Sequence, residues 1–286
     1  MTRNLKTAWM LSLVLVWPSF ATAAKVRYVF DGWQGPSMRV YVTRPAALAP
    51  DRPVVFVMHG TNRNADDYRD QWHDLAWKHD FLLVVPEFTK KDFPGSDGYN
   101  LGYREDENGN PRPRERWSYS AIEPLFDDVR RRFGMNTSRY ALYGHSAGAQ
   151  FVHRYIFQVP EARVSQVVPA NAGWYMMPDY QAEYPYGLGG SGVTLEALQG
   201  GMALPVTVML GGADTDPQHP NLRRTPEALT QGPHRYARGQ AFFTNALDWA
   251  VQARVPFNWE MIVVPGVGHD NARMAPAAVP FLLRRP

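Results

Sequence analysis

Residues 138–148 read Ser-Arg-Tyr-Ala-Leu-Tyr-Gly-His-Ser-Ala-Gly, and they constrain the fold more than any other stretch. The apolar run Tyr140–Tyr143 meets Gly144-His145-Ser146-Ala147-Gly148, and apolar residues then recur at helical spacing: Ala149, Phe151, Val152, Tyr155 and Ile156. A strand must therefore turn within a few residues into a helix, with Ser146 at the bend. This is the G-x-S-x-G nucleophile elbow in the strand–turn–helix setting that gives the motif meaning. Such a bend strains the serine backbone, and Gly144 and Gly148 remove side chains that would collide there. The hydroxyl is left exposed above the sheet edge, where a helix N-terminus favours developing negative charge.

The rest of the chain has the punctuation of an α/β domain. Strand-like runs fall at 26–30, 38–43, 54–58, 81–85, 140–143, 166–170, 205–210 and 258–264. Helical patterns fall at about 65–79, 120–132, 147–158, 238–253 and 275–284. After the first two strands the order is strand, helix, strand, helix. Several strands are unbroken apolar runs such as Val54-Val55-Phe56-Val57-Met58, as expected where helices cover both faces. A mostly parallel, eight-stranded sheet flanked by helices in three layers is the predicted architecture. Residues 87–118, 172–200 and 212–236 are too long and irregular for simple connectors, and loops of that kind usually carry function.

Arg3 and Lys6, the apolar run Ala8 to Trp17 and the A-x-A site Ala21-Thr22-Ala23 predict a secretory signal peptide over 1–23. The apolar run is too short for a membrane span, so no membrane association is expected after cleavage. Residues 24–286 then form a single catalytic domain in the periplasm or outside the cell. The chain has no cysteine, so this domain depends on its core rather than on disulfides. Cleavage would remove two cations and no anion, taking the formal charge from +3 to +1. Basic residues form no stripe and no recognition motif, which argues against a nucleic-acid partner. Arg130-Arg131-Arg132 closes a predicted helix, where cations suit the dipole.

A serine hydroxyl needs a base, and the base needs an orienting carboxylate. After Ser146, the run Pro205–Leu210 ends in Gly211-Gly212-Ala213-Asp214, and the next strand ends in Pro265-Gly266-Val267-Gly268-His269. The order Ser, Asp, His, each on the loop after a successive strand, is that of a nucleophile–acid–base triad on a parallel sheet. All three would converge at the carboxyl edge, where such sheets do their chemistry. Asp216, two residues beyond Asp214, is a rival orienter. The oxyanion hole should use the backbone N–H of Ala147 and that of Thr61 in Met58-His59-Gly60-Thr61-Asn62, with Asn62 as an alternative donor. His59 is expected to brace this turn. No cofactor is called for, and Asp214 with Asp216 does not supply the oxygen cage of a metal site.

Together, Gly144–Gly148, His59-Gly60, Gly211–Asp214 and Gly268-His269 resemble the α/β-hydrolase superfamily across essentially all of residues 24–286. Within it, the S-A-G elbow, G-x-A-D, G-x-G-H and the leader resemble the secreted polyhydroxybutyrate depolymerase and feruloyl esterase-like group. The resemblance implies an ester hydrolase acting through an acyl-enzyme on a small-molecule or oligomeric ester. An amidase or peptidase with the same triad, and a non-catalytic binding protein on the same scaffold, are the alternatives; no charged clamp for a peptide terminus is legible. Trp174 and Tyr175, on the loop after the strand that follows the elbow helix, are candidates to contact substrate or to cap the core. Met176 and Met177 are candidates to adapt to the same substrate group, and the segment 184–190, residues 92–100 and Trp117-Ser118-Tyr119 are candidates for the rim.

Overall fold

Along β3 (Val54–Met58) the side chains alternate between two buried clusters, Val54, Phe56 and Met58 on one side and Val55 and Val57 on the other. β5 (Tyr140–His145) does the same, with Tyr140 and Leu142 facing one cluster and Ala141 and Tyr143 the other. Both faces of the sheet are therefore dry, which is why these strands read as apolar runs rather than as alternating patterns. The structure is a computed structural model that describes residues 23–284. The predicted signal peptide, but for its last residue, lies outside the described residues.

Eight strands form one sheet in the order β1-β2-β4-β3-β5-β6-β7-β8. The remaining strands are β1 (Ala24–Phe30), β2 (Met38–Arg44), β4 (Leu82–Pro86), β6 (Val164–Ala170), β7 (Val206–Gly211) and β8 (Trp259–Val264). β2 runs antiparallel to β1 and β4, and every other pairing is parallel. Register brings Met58 opposite Gly144, His145 opposite Ala170, and Gly211 opposite Val264. The carboxyl ends of β3, β5, β6, β7 and β8 thus lie along one edge.

One face is covered by α1 (Ala65–Lys78) and α7 (Asn271–Leu282). The other carries α2 (Ile122–Phe133), α3 (Ala147–Gln158), α4 (Leu195–Ala203) and α6 (Arg235–Ala253), with α5 (Pro226–Thr230) a short turn between β7 and α6. All twelve residues of α3 are buried, so the helix that starts at the elbow sits at the centre of its layer. α2 buries Ile122, Leu125, Phe126 and Val129, a stripe at helical spacing. Its exposed end carries Arg131 and Arg132, both paired with Asp128, and it closes on Gly134 at φ 66°.

The sequence boundaries hold to within a few residues with four differences. α4 and α5 lie in stretches read as loop; each begins at a threonine whose hydroxyl accepts a backbone N–H in its first turn. α6 starts three residues early because His234 serves as its cap, and α7 starts four early, at Asn271, because Asp270 caps it. Pro276 and Pro280 lie inside α7.

Candidate active site

Ser146 joins β5 to α3 with φ 59° and ψ −116°, a backbone conformation that non-glycine residues rarely hold. Two contacts fix it. Its N–H donates to the Ala170 carbonyl at 3.0 Å, and its carbonyl accepts the first helical hydrogen bond, from Gln150 N–H at 3.1 Å. A Cβ at Gly144 would sit 2.2 Å from the Gly148 carbonyl oxygen, and one at Gly148 would sit 2.0 Å from that of Met58. The two glycines of the motif are thus required by backbone packing between β3, β5 and α3.

Asp214 lies on the loop after β7 and His269 on the loop after β8. His269 Nδ1–H donates to Asp214 Oδ2 at 2.8 Å, and Ser146 Oγ–H donates to His269 Nε2 at 2.9 Å. Asp216 stays exposed, and its carboxylate accepts the Gln218 N–H in a local turn. The two loops are tied together by Asn171, just past β6. Its Oδ1 accepts the Gly211 N–H at 2.6 Å, while its Nδ2–H donates to the Gly268 carbonyl at 3.2 Å. Asn171 is buried with φ 51°, and sequence reasoning gave it no role.

Arg235, the first residue of α6, is 1% exposed and faces the other oxygen of Asp214, with Nη1 at 3.4 Å from Oδ1. Its second branch meets His219 Nδ1 at 3.1 Å. Partial burial and Arg235 hold His219 below the usual histidine range. The His145 ring lies 4.7 Å from that of His269, and burial keeps His145 far below the ordinary range, hence neutral.

Across from the elbow, the turn after β3 is braced as the sequence implied. His59 is fully buried; its Nδ1–H donates to the Gly60 carbonyl and its Nε2 accepts the Phe88 N–H. Burial pushes its pKa down to about 3, so the ring stays neutral, and its Nε2 lone pair is already engaged by the Phe88 N–H. The Thr61 and Ala147 N–H groups donate to no acceptor among the described residues, and both residues line the cleft beside Ser146. Asn62 is exposed and does not line it. Arg63, at φ 64°, spends its guanidinium on the carbonyls of Phe88, Phe93 and Gly95, and so fastens the turn after β3 to the loop after β4.

The cleft over Ser146 holds about 430 Å³ and takes its walls from the three long loops. Gly95, Ser96 and Asn100 come from the first, Gly173 and Trp174 from the second, and Pro220–Arg223 from the third. Trp174 is 3% exposed yet reaches the cleft, packed against the guanidinium groups of Arg154 and Arg223 and the ring of Tyr186. Tyr175 requires a correction: it is fully buried and does not line the cleft. Its ring stacks on Phe242, and its N–H and carbonyl are both held by the Gln231 side chain at 2.8 Å. The loop thus passes from the cleft at Gly173 and Trp174 to the core at Tyr175. Met176 is likewise buried, its N–H donating to His153 Nε2. Ser118 and Tyr119 are core residues, whereas Tyr186 backs the cleft through Trp174.

The lining carries four cations, Arg63, Lys90, Arg223 and Arg235, and no carboxylate. Just behind it, Arg154 and Arg238 are buried and donate only to backbone carbonyls. Burial pushes Arg238 down to about 10 and lowers Arg63 and Arg154 as well. Of these arginines only Arg235 has a carboxylate partner among the described residues, Asp214. Uncompensated buried charge is costly, and its field is focused into the cleft.

No family model matches the sequence. Among curated proteins, a bifunctional acetylxylan esterase/xylanase of Neocallimastix patriciarum is 23% identical over 128 residues, 44% of this chain and only 17% of that protein. Solved structures match far more of the chain. Poly(aspartic acid) hydrolase-1 from Sphingomonas sp. KT-1 superposes with a TM-score of 0.90 at 42% identity, covering 92% of this chain and all of that one. A poly(3-hydroxybutyrate) depolymerase from Bordetella parapertussis gives 0.84 at 38% identity over 93% of this chain and 92% of that one. With identity at this level over nearly the whole described fold, the chain belongs to the α/β-hydrolase superfamily, in the group that holds these two polymer hydrolases.

Proposed function

We propose that the protein is a secreted serine hydrolase that cleaves carboxylic esters through an acyl-enzyme. The observation that carries this reading is the continuous run of hydrogen bonds from Asp214 through His269 to Ser146 Oγ. With Asp214 ionised, its carboxylate fixes the imidazole proton on Nδ1 and leaves the Nε2 lone pair aimed at the serine. Nε2 takes the hydroxyl proton as Oγ attacks the carbonyl carbon, and the carbonyl oxygen becomes an oxyanion. The Thr61 and Ala147 N–H groups are the free donors suited to receive it, assisted by the N-terminus of α3. His269 then protonates the leaving alkoxide, and water attacks the acyl-enzyme with the same imidazole as base. Secretion rests on the predicted signal peptide.

A second reading is favoured by one observation, the cation-lined cleft without a carboxylate. The same machinery would cleave amide bonds in a polymer whose repeating units carry carboxylates, the kind of substrate named for the Sphingomonas relative. Amide cleavage asks more of His269, which must protonate a poorer leaving group. A panel of esters, neutral aminoacyl anilides and oligo-aspartate separates these readings. Ester turnover that disappears in Ser146→Ala is the expected result. Turnover confined to oligo-aspartate would favour the second reading, and turnover that survives Ser146→Ala would overturn both.

A further inference from the structure

Arg223 differs from every other cation in the cleft in what its guanidinium is free to do. Arg63 is committed to three backbone carbonyls, and Arg235 to Asp214 and His219. Lys90 is exposed on a flexible stem and would hold an anion loosely. Arg223 donates through Nε alone, to the Tyr186 hydroxyl at 2.6 Å, and that hydroxyl in turn meets Thr225 Oγ1 at 2.6 Å. Its Nη1 and Nη2 donate to no acceptor among the described residues, and the residue lines the same cleft as Ser146.

The guanidinium also lies over two aromatic rings. Arg223 Cζ lies 4.7 Å from the Trp174 ring centre and 5.4 Å from that of Tyr186. The two rings contact each other, with centres 4.7 Å apart. Trp174 is set from behind by Arg154, whose Cζ is 4.3 Å from the indole and whose guanidinium is tied to the carbonyls of Gln150 and Pro185. A planar cation with two free N–H pairs, held by cation–π contacts and one hydrogen bond, is suited to bidentate recognition of a carboxylate. A carboxylate is the natural complement of a cleft whose lining carries cations and no acidic side chain.

Resting on the hydrolase reading above, we infer that Arg223 is a specificity-determining residue whose guanidinium binds a carboxylate of the substrate beside the scissile bond. The substrate class is thereby narrowed to esters or amides that bear a negative charge near the reacting carbonyl. Trp174 and Tyr186 act as positioning residues for the fork rather than as a hydrophobic acyl pocket.

The test compares kcat/KM for substrates matched in shape but not in charge. On the acyl side these are monomethyl succinate and methyl butyrate; on the alcohol side, 3-acetoxybenzoate and phenyl acetate. The wild type should prefer the anionic member of at least one pair, less so as salt rises. Arg223→Gln should reduce that preference about ten- to a hundredfold, the worth of hydrogen bonds to a charged group. Arg223→Lys, which keeps the charge and loses the fork, should fall between. A side chain that only braces the loop would slow both members of a pair alike, and that result overturns the inference. So does an absence of charge preference in both pairs. If no ester is turned over, the ester reading fails by itself. Binding of tricarballylate, a non-hydrolysable tricarboxylate, measured by calorimetry, then decides: a tenfold or greater loss in Arg223→Gln supports the inference, and unchanged or undetectable binding refutes it.

Discussion

Asp214 uses its two oxygens differently. Oδ2 accepts the short bond from His269, while Oδ1 faces the buried guanidinium of Arg235 at 3.4 Å. Replacing the carboxylate by an amide keeps the shape, presents an N–H where an acceptor is needed, and favours the wrong imidazole tautomer. Asp214→Asn is therefore expected to lower kcat by about 10⁴, the loss typical of a triad carboxylate. Asp216, exposed and engaged only with its own turn, should cost less than about tenfold as Asp216→Asn. Steady-state kinetics on the two variants checks the ranking, and the reverse order would hand the orienting role to Asp216. The pair also marks a limit of sequence reasoning at this scale. Spacing puts either aspartate just past β7, and only the direction in which the loop turns separates them. The same limit hid Asn171 and Arg235: one looks like the end of a strand, the other like a cation near the end of a long loop.

Among the elements, the ones read best from sequence are those with internal periodicity. All eight strands and the helices α1, α2, α3 and α6 announce themselves by apolar runs or stripes. α4 and α5 did not, because each is short and lies in a stretch whose glycines and prolines mask any stripe. Their signals were the capping threonines Thr194 and Thr225. α7 was placed four residues too late, because its cap is Asp270, directly after His269 in a stretch read as loop. The long loops were expected to surround the site and do wall the cleft, but the direction of each side chain was not legible. Trp174 reaches the cleft while Tyr175 and Met176 turn into the core, and the irregular backbone of this loop has no periodicity that would reveal it. The cationic character of the cleft was equally invisible, because Arg63, Lys90, Arg223 and Arg235 are separated by long stretches of chain and meet only in the fold.

At the scale of the whole molecule, buried histidines set a boundary on the conditions the fold tolerates. His59 and His153 each donate from Nδ1 to a backbone carbonyl and accept a backbone N–H at Nε2, and His145 sits buried beside the triad. Burial depresses all three, His59 from 6.5 to about 3 and the others in the same direction. The unfolded chain therefore binds more protons than the folded one below pH 6.5. Stability is full above that value and falls as pH drops towards the folded pKa. His59, neutral in the fold across this range, costs about 2 kcal/mol of stability between pH 7 and pH 5, and His145 and His153 act in the same direction. Urea midpoints at the two pH values should differ markedly, and equal midpoints would mean that these rings take up protons without unfolding. Across the same molecule, the central claim is that one serine is set apart from all the others. Ser96 makes the sharpest contrast, since it lines the same cleft as Ser146 but has no hydrogen bond to an imidazole. The most direct measurement is mass spectrometry of the protein after treatment with a fluorophosphonate. The account predicts a single adduct, on Ser146, lost in Ser146→Ala and strongly slowed in His269→Ala; an adduct on any other serine, or undiminished labelling in Ser146→Ala, would contradict it.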